Sequence, residues 1–340
     1  MRPVKDKKCL LLAAIVAAFP SLGAADPAAS AARIARGQYV ANLCECFSCH
    51  SPLEKGEHEI PVKGKLGAGD VISKEQRKIA PNLTPDRATG AASWSDGEMV
   101  RAIRDGISHD GRKLSLAMPY DYFRVLTDDD VASVVAYLRS LPAVRNPLPR
   151  WIPTDVAEAP PEPRRRPLTP AEIARPVDLG AYLARLARCG LCHTARPAGV
   201  SWRHRRLDME FGGGRRFSTT PFYDELDPDP AATSPPKDDR EAAGSIVVSP
   251  NITSDPSGIA FFDEGIFIQT IRTGRVAGIR PLSSAMPWHR FRLLTDQDLG
   301  AIFSYLRSVA PVRHRVNNTD PPTWCRRCGR LHGLGELNSP

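Results

Sequence analysis

Apolar side chains fall at helical spacing in two matching places. Val131, Val134, Val135 and Leu138 recur at intervals of three and four, which gathers them on one helix face. Thr127, with Asp130 three residues on, supplies a start for that helix, and Pro142 lies just past its end. Leu299, Ile302, Phe303 and Leu306 form the same stripe behind Thr295. A shorter stripe of Met99, Val100 and Ile103 follows Ser95-Asp96-Gly97-Glu98, a capping box, and stops at Gly106. Further helices are predicted over about 32–49 and 178–192. No stretch alternates apolar and polar residues far enough to make a useful strand. The predicted fold class is therefore all-α.

The two stripes belong to a longer repeat. Gly37-Gln38-Tyr39-Val40 is echoed by Gly180-Ala181-Tyr182-Leu183, and Pro81-Asn82-Leu83-Thr84 by Pro250-Asn251-Ile252-Thr253. Ile103-Arg104 and Gly106 return as Ile271-Arg272 and Gly274. Ala117-Met118-Pro119 returns as Ala285-Met286-Pro287, and Phe123-Arg124 as Phe291-Arg292. Tyr137-Leu138-Arg139-Ser140 returns as Tyr305-Leu306-Arg307-Ser308. Two domains of ordinary size, duplicated from one, fit the 340 residues. Their expected spans are 31–148 and 177–316. From position 94 onward the offset is 168, whereas an earlier cysteine motif repeats at 143. The 25-residue difference predicts an insertion in the second copy, with its core at about 223–244. Residues 142–176 hold ten prolines and Arg164-Arg165-Arg166, so 149–176 is predicted to be a Pro-rich linker, extended where prolines cluster, with arginines that are solvated or, as the alternative, serve docking. The tail, 317–340, is rich in Pro, Arg and Gly and is expected to be poorly ordered.

That motif carries the chemistry. Cys46-Phe47-Ser48-Cys49-His50 and Cys189-Gly190-Leu191-Cys192-His193 both read Cys-x-x-Cys-His, the attachment signature of a c-type haem. Two cysteines three apart on a helical turn face the same way, so both thiols can bond to one haem edge. The histidine that follows offers an imidazole nitrogen to iron. Chance, or half a zinc site, is the bland alternative for one copy and much less so for two in matching contexts. Two covalent haems are expected. Each copy also has one Met-Pro pair, at Met118 and Met286, and their spacings from His50 and His193 become equal once the insertion is removed. With four methionines outside the leader, two at equivalent places point to axial ligands rather than core filler. His/Met ligation raises the reduction potential and closes the iron to peroxide or oxygen. His109, His204 and His289 read as surface residues, and Trp94 and Phe262 as packing.

Residues 1–25 read as a secretory signal peptide. A basic patch (Arg2, Lys5, Lys7, Lys8) precedes an apolar run from Cys9 to Phe19, with a cut expected after Ala24 or Ala25. That run is too short to span a bilayer, which needs about 20 residues. A retained anchor is the alternative. No other stretch approaches membrane length. Export predicts a periplasmic location, where haem is attached to cysteines. The formal charge of +8 falls to +5 once the leader goes, which makes nucleic acid a poor partner and suits docking to an acidic redox protein. Cys44 reads as a buried helix residue. Cys325 and Cys328 read as a disulfide in an exported chain, since zinc would need two further ligands.

Pro81-Asn82-Leu83 resembles the stretch of class I cytochromes c whose proline carbonyl accepts the Nδ1 proton of the proximal histidine. That resemblance implies Pro81 behind His50 and Pro250 behind His193. The chain as a whole resembles the multihaem cytochrome c subunits of membrane-bound alcohol and gluconate dehydrogenases. The likeness covers about 33–148 and 177–316 and rests on Pro-Asn-Leu-Thr-Pro-Asp at 81–86, Trp94-Ser95-Asp96-Gly97, Asp110-Gly111-Arg112, Ala117-Met118-Pro119-Tyr120 and the Tyr-Leu-Arg-Ser helices. It implies two tandem class I cytochrome c domains. Members of that group usually hold three haems, and this chain has two attachment motifs, which suits a soluble dihaem carrier. Such a carrier would move single electrons from a periplasmic dehydrogenase to an oxidase or another cytochrome, with no catalytic residue of its own. The alternative is a dihaem peroxidase, which has two such motifs but needs an open iron. The paired Met-Pro repeats and the symmetry of the two halves argue against it.

Overall fold

The computed structural model describes residues 27–54, 60–74, 77–151, 166–196, 205–218, 246–276, 278, 280–283, 285–316, 323–325 and 330–332. The leader, the insertion at 223–244, His204, Cys328 and half of the linker (152–165) lie outside them. The first half opens with helix α1 (Pro27–Leu43) and continues through α2 (Asp96–Asp105), α3 (Tyr120–Phe123) and α4 (Asp128–Ser140). The second half runs α5 (Pro176–Leu186), α6 (Cys189–His193), α7 (Glu264–Thr273), α8 (Trp288–Phe291) and α9 (Asp296–Ser308).

The predicted helix starts are present. Ser95 Oγ accepts from the Glu98 N–H at 3.2 Å, and Glu98 Oε2 accepts from the Ser95 N–H at 2.7 Å. Thr127 Oγ1 accepts from the Asp130 N–H, and Thr295 Oγ1 from the Asp298 N–H, both at 3.1 Å. Asp128, Asp129 and Asp130 then set three carboxylates against the positive end of the α4 dipole. Gly106 ends α2 with φ 67°, as predicted.

In each half the first helix packs on the last at a glycine. A Cβ on Gly37 would lie 1.9 Å from the Ser133 carbonyl oxygen of α4. A Cβ on Gly180 would lie 1.9 Å from the Ala301 carbonyl oxygen of α9. Only hydrogen in the side-chain position lets the backbones come this close. The apolar stripes meet there, and one buried cluster runs from Val40 and Leu43 through Val134 and Leu138 to Leu183, Leu299 and Leu306.

Three expectations need correction. The cysteine motifs do not continue the first helices. α1 stops at Leu43, Glu45 turns into left-handed backbone at φ 54°, and a separate 3-10 turn holds Cys46–Ser48. Likewise α5 stops at Leu186 and Arg188 turns at φ 58° before α6. Left-handed backbone cannot be carried inside an α-helix, so each motif points off at its own angle.

The all-α reading also omits short ribbons. Among the described residues these are Leu53–Glu54 (β1) with Ile60–Pro61 (β2), Asp70–Ser73 (β3) with Lys78–Ala80 (β4), and Arg216–Ser218 (β5) with Ile246–Val248 (β6). Arg275–Val276 (β7) pairs with Arg280–Pro281 (β8), and Thr323–Cys325 (β9) with Arg330–His332 (β10). All are antiparallel and too short to show an alternating pattern. The last pairing lies in the tail expected to be poorly ordered. The linker, third, has local structure at its end. Leu168 is buried and its N–H bonds to Val125 O at 3.0 Å, after which Thr169 and Glu172 cap a turn at Pro170–Ile173. Arg166 pairs there with Glu172 at 2.6 Å.

The halves meet through a reciprocal exchange. Tyr182 on α5 donates to Asp130 Oδ2 at 2.6 Å and accepts from the Thr127 N–H at 3.3 Å. Tyr39 on α1 donates to Asp298 and accepts from the Thr295 N–H at 3.0 Å. Arg185 and Arg205 both lie over the Tyr122 ring, at 5.7 and 5.6 Å from its centroid. Among the described residues no helix is long and apolar enough to cross a membrane.

Candidate functional site

The turn after Glu45 gathers the first set of candidate residues. The N–H groups of Cys49 and His50 both bond to Cys46 O, at 3.4 and 3.0 Å, so the two cysteines and the histidine share one turn. In the second half α6 is itself that turn, from Cys189 to His193. Cys46, Cys49, Cys189 and Cys192 form no disulfide. Burial pushes Cys46 and Cys189 up to about 12, and it raises Cys192 as well. Burial therefore favours the neutral form of these three thiols.

Each histidine is aimed by a proline carbonyl. His50 Nδ1 lies 2.9 Å from Pro81 O, and His193 Nδ1 lies 2.9 Å from Pro250 O. A carbonyl only accepts, so Nδ1 carries the proton and Nε2 keeps its lone pair. Burial lowers the pKa of both rings, with the proline carbonyls pulling the other way. The neutral imidazole with Nε2 available is the form that ligates a metal.

The Pro-Asn loops are pinned from two sides. Asn82 is buried and donates to Val144 O at 2.7 Å, while its Oδ1 accepts from the Thr84 N–H at 2.9 Å and the Thr84 hydroxyl at 2.7 Å. Asn251 repeats this with Val312 O at 2.8 Å and with Thr253 at 2.9 and 2.8 Å. On the other side, Gly69 donates to His50 O at 2.9 Å and Gly213 to His193 O at 2.8 Å. Both glycines have positive φ, 77° and 74°, and a Cβ on either would run into the Pro-Asn backbone at about 2.5–2.6 Å. They are the spacers that let the histidine turn and the proline loop approach.

Met118 and Met286 occupy turns of one pattern. The Met118 N–H bonds to Ser115 O, and the Met286 N–H to Ser283 O, both at 3.0 Å. Tyr120 and Trp288 return N–H bonds to the methionine carbonyls, both at 2.8 Å. Both methionines are half-buried against the apolar cluster.

The other expectations divide. Cys44 is buried, in the turn just past α1. Trp94 and Phe262 pack on the apolar cluster. His109 is exposed and stacks on Trp94 at 4.4 Å. His289 is half-buried rather than a surface residue, beside a cleft of about 250 Å³ shared with Glu45, Phe47, Arg290 and Leu293. The halves close over it, which the local sequence does not reveal. Asn82 and Asn251 sit inside the repeated motif and could have been singled out. The glycines at 69 and 213 leave a weaker mark, a glycine cluster after each cysteine motif.

Two thiols on one turn, with a buried neutral histidine presenting Nε2, fit a covalently held haem in donor type. Among the described residues no cluster of three or more His, Cys, Asp or Glu side chains is arranged to hold a bare metal ion.

Comparison with known proteins agrees. The cytochrome c family profile matches residues 34–142. The chain is 29% identical over 322 residues to the cytochrome c subunit of alcohol dehydrogenase (quinone) from Gluconacetobacter polyoxogenes, covering 88% of this chain and 61% of that one. It is 30% identical over 306 residues to the fructose dehydrogenase cytochrome subunit of Gluconobacter japonicus, covering 81% and 52%. It is 28% identical over 323 residues to the gluconate 2-dehydrogenase cytochrome c subunit of Pantoea cypripedii, covering 88% and 64%. The chain thus spans between half and two thirds of the length of these relatives. Residues 34–142 are a cytochrome c domain, and the chain is a relative of the cytochrome c subunits of alcohol, fructose and gluconate dehydrogenases.

Proposed function

We propose that this chain is an exported dihaem cytochrome c that carries single electrons between a periplasmic dehydrogenase and a downstream oxidase or cytochrome. In this reading two cytochrome c modules, at 31–148 and 177–316, stand in tandem on either side of a Pro-rich linker. The observation that carries it is a recurrence. In both halves a buried histidine holds Nδ1 2.9 Å from a proline carbonyl, at the end of a turn bearing two cysteines that form no disulfide. The matched glycine contacts at Gly37 and Gly180 support the duplication.

Each side chain then has a task. Cys46 with Cys49, and Cys189 with Cys192, form the thioether links. His50 and His193 ligate iron through Nε2, with Pro81 and Pro250 fixing their ring orientation. Met118 and Met286 would supply the remaining iron ligands through their thioether sulfurs. Bound there, haem c supplies a one-electron couple. The protein's own contribution is ligation, burial and exclusion of water, and no residue acts as acid, base or nucleophile. The named relatives suggest a dehydrogenase catalytic subunit as donor, and the basic balance of the chain suits docking to an acidic partner face.

The test is a haem count on protein exported from a host with haem-attachment machinery, by intact mass and by pyridine haemochrome. Two haems per chain are expected, falling to one in Cys46→Ala/Cys49→Ala and to one in Cys189→Ala/Cys192→Ala. A count of one or none for the parent chain overturns the reading. Carbon monoxide should leave the reduced spectrum unchanged; turnover of peroxide would make the protein an enzyme instead.

A further inference from the structure

Glu45 and Arg188 hold equivalent places, each immediately before the first cysteine of its motif. Both adopt left-handed backbone, at φ 54° and φ 58°, a conformation glycine takes at lower cost. Charged side chains occupy both positions nonetheless, and they carry opposite charges. They reach across the junction between the halves: Arg188 Nη2 lies 2.5 Å from Glu45 Oε2. The pair is well shielded, with side-chain exposures of 15% and 11%. Arg290, four residues past Met286, approaches the other Glu45 oxygen at 3.7 Å. The equivalent of Arg290 in the first half is Tyr122, so charge is distributed unequally over matched positions.

One side-chain pair therefore spans the gap between the two cysteine turns.

We infer that the Glu45–Arg188 ion pair is a positioning element common to both haem turns, which fixes their separation and sets one local field for both irons. This rests on the dihaem reading. The two side chains are largely shielded from solvent, so screening is reduced and a charge there acts on both sites. A cation disfavours the more positive, oxidised state. Removing it must then lower both midpoints, and removing the carboxylate must raise both.

The experiment is a spectroscopic redox titration of the holoprotein with its haem count verified. In Arg188→Met both midpoints should fall, each by on the order of tenfold in the oxidised-to-reduced equilibrium, about 59 mV for one electron. In Glu45→Gln both should rise. Arg188→Lys keeps the charge and should leave both near the parent values, which separates charge from packing. A change confined to one midpoint, or to neither, overturns the inference. Should Arg188→Met fail to fold, Glu45→Gln decides by the same criterion. A parent protein with fewer than two haems would instead be a failure of the dihaem reading.

Discussion

The phenol of Tyr182 donates a 2.6 Å hydrogen bond to Asp130, and both side chains are buried. Asp130 also receives Arg36 in a fork, at 2.6 and 2.9 Å, so its carboxylate is held from both halves of the chain. Tyr39 makes the reverse bond, from the first half to Asp298. Each tyrosine thus ties its own helix to the capped start of the other half's last helix.

Truncating these phenols should loosen the junction unequally. Tyr182→Phe removes a buried bond to a charged acceptor and should lose about 1–3 kcal/mol. Tyr39 is only half-buried, and Tyr39→Phe should lose about 1 kcal/mol or less. Urea denaturation of each variant measures this, and equal losses would contradict the difference in burial.

The same pair predicts a loss of stability in alkali. Burial, and Asp298 beside it, push Tyr39 up to about 12, and burial with Asp130 pushes Tyr182 up further. In the unfolded chain a tyrosine ionises near 10. Between those values the unfolded state releases a proton that the folded state keeps, so unfolding is favoured as pH rises. The contribution is complete below about pH 10; the Tyr39 part is lost on the way to about 12 and the Tyr182 part continues to fall beyond it. The denaturation midpoint of the parent should fall over that window. Tyr39→Phe/Tyr182→Phe should fall less steeply, and a parallel fall would assign the effect to other groups.

Gly37→Ala and Gly180→Ala should each destabilise by about 1–3 kcal/mol or more, because the added methyl meets a carbonyl oxygen at 1.9 Å and a helix pair must part. Gly97 is a control at an exposed position in the first turn of α2, with nothing within 4 Å of its would-be Cβ. Gly97→Ala should be neutral or stabilising by up to about 1 kcal/mol. Thermal unfolding ranks the three.

Gly37 is marked in the sequence only as a member of a repeat, because the backbone it meets at Ser133 belongs to another helix. The apolar stripes of α4 and α9, the caps at Ser95, Thr127 and Thr295, and the stop at Gly106 are local. Each is written in three or four neighbouring residues, and the structure has them all. The His50 and His193 contacts with proline carbonyls were legible only because Pro-Asn-Leu resembled a known motif; spacing alone does not bring residue 81 to residue 50. The left-handed turns at Glu45 and Arg188 were not legible, since nothing local forbids the helix from continuing to the cysteines. They bring Glu45 and Arg188 into an ion pair between the halves, a contact that depends on how the halves close. Ribbons such as β3–β4 escaped for another reason, because three or four residues cannot display a two-residue period.

Asn82→Ala and Asn251→Ala test the loops that aim the proline carbonyls. Each change removes a donor to Val144 O or Val312 O and the acceptor for a buried threonine, so about 1–3 kcal/mol should be lost. On the proposed reading, slackening Pro81 also frees the His50 ring. The effect should appear as a shifted midpoint for one haem, with the other unchanged. A stability loss with both midpoints fixed would make these loops purely structural.

Met118 and Met286 give the most direct test of the ligand assignment. Replacing a thioether with a nitrogen ligand lowers the reduction potential of a haem. Met118→His should therefore lower one midpoint and Met286→His the other, while the double variant lowers both. These shifts should be confined to single haems, because each methionine sits on its own half's turn after Ser115 or Ser283. That locality contrasts with the joint shift expected from Arg188→Met, and the two results check one another. If Met118→His and Met286→His leave both midpoints in place, the methionines are core residues and the irons have another sixth ligand. If either variant moves both midpoints together, the two sites are coupled more broadly than through the ion pair at their junction.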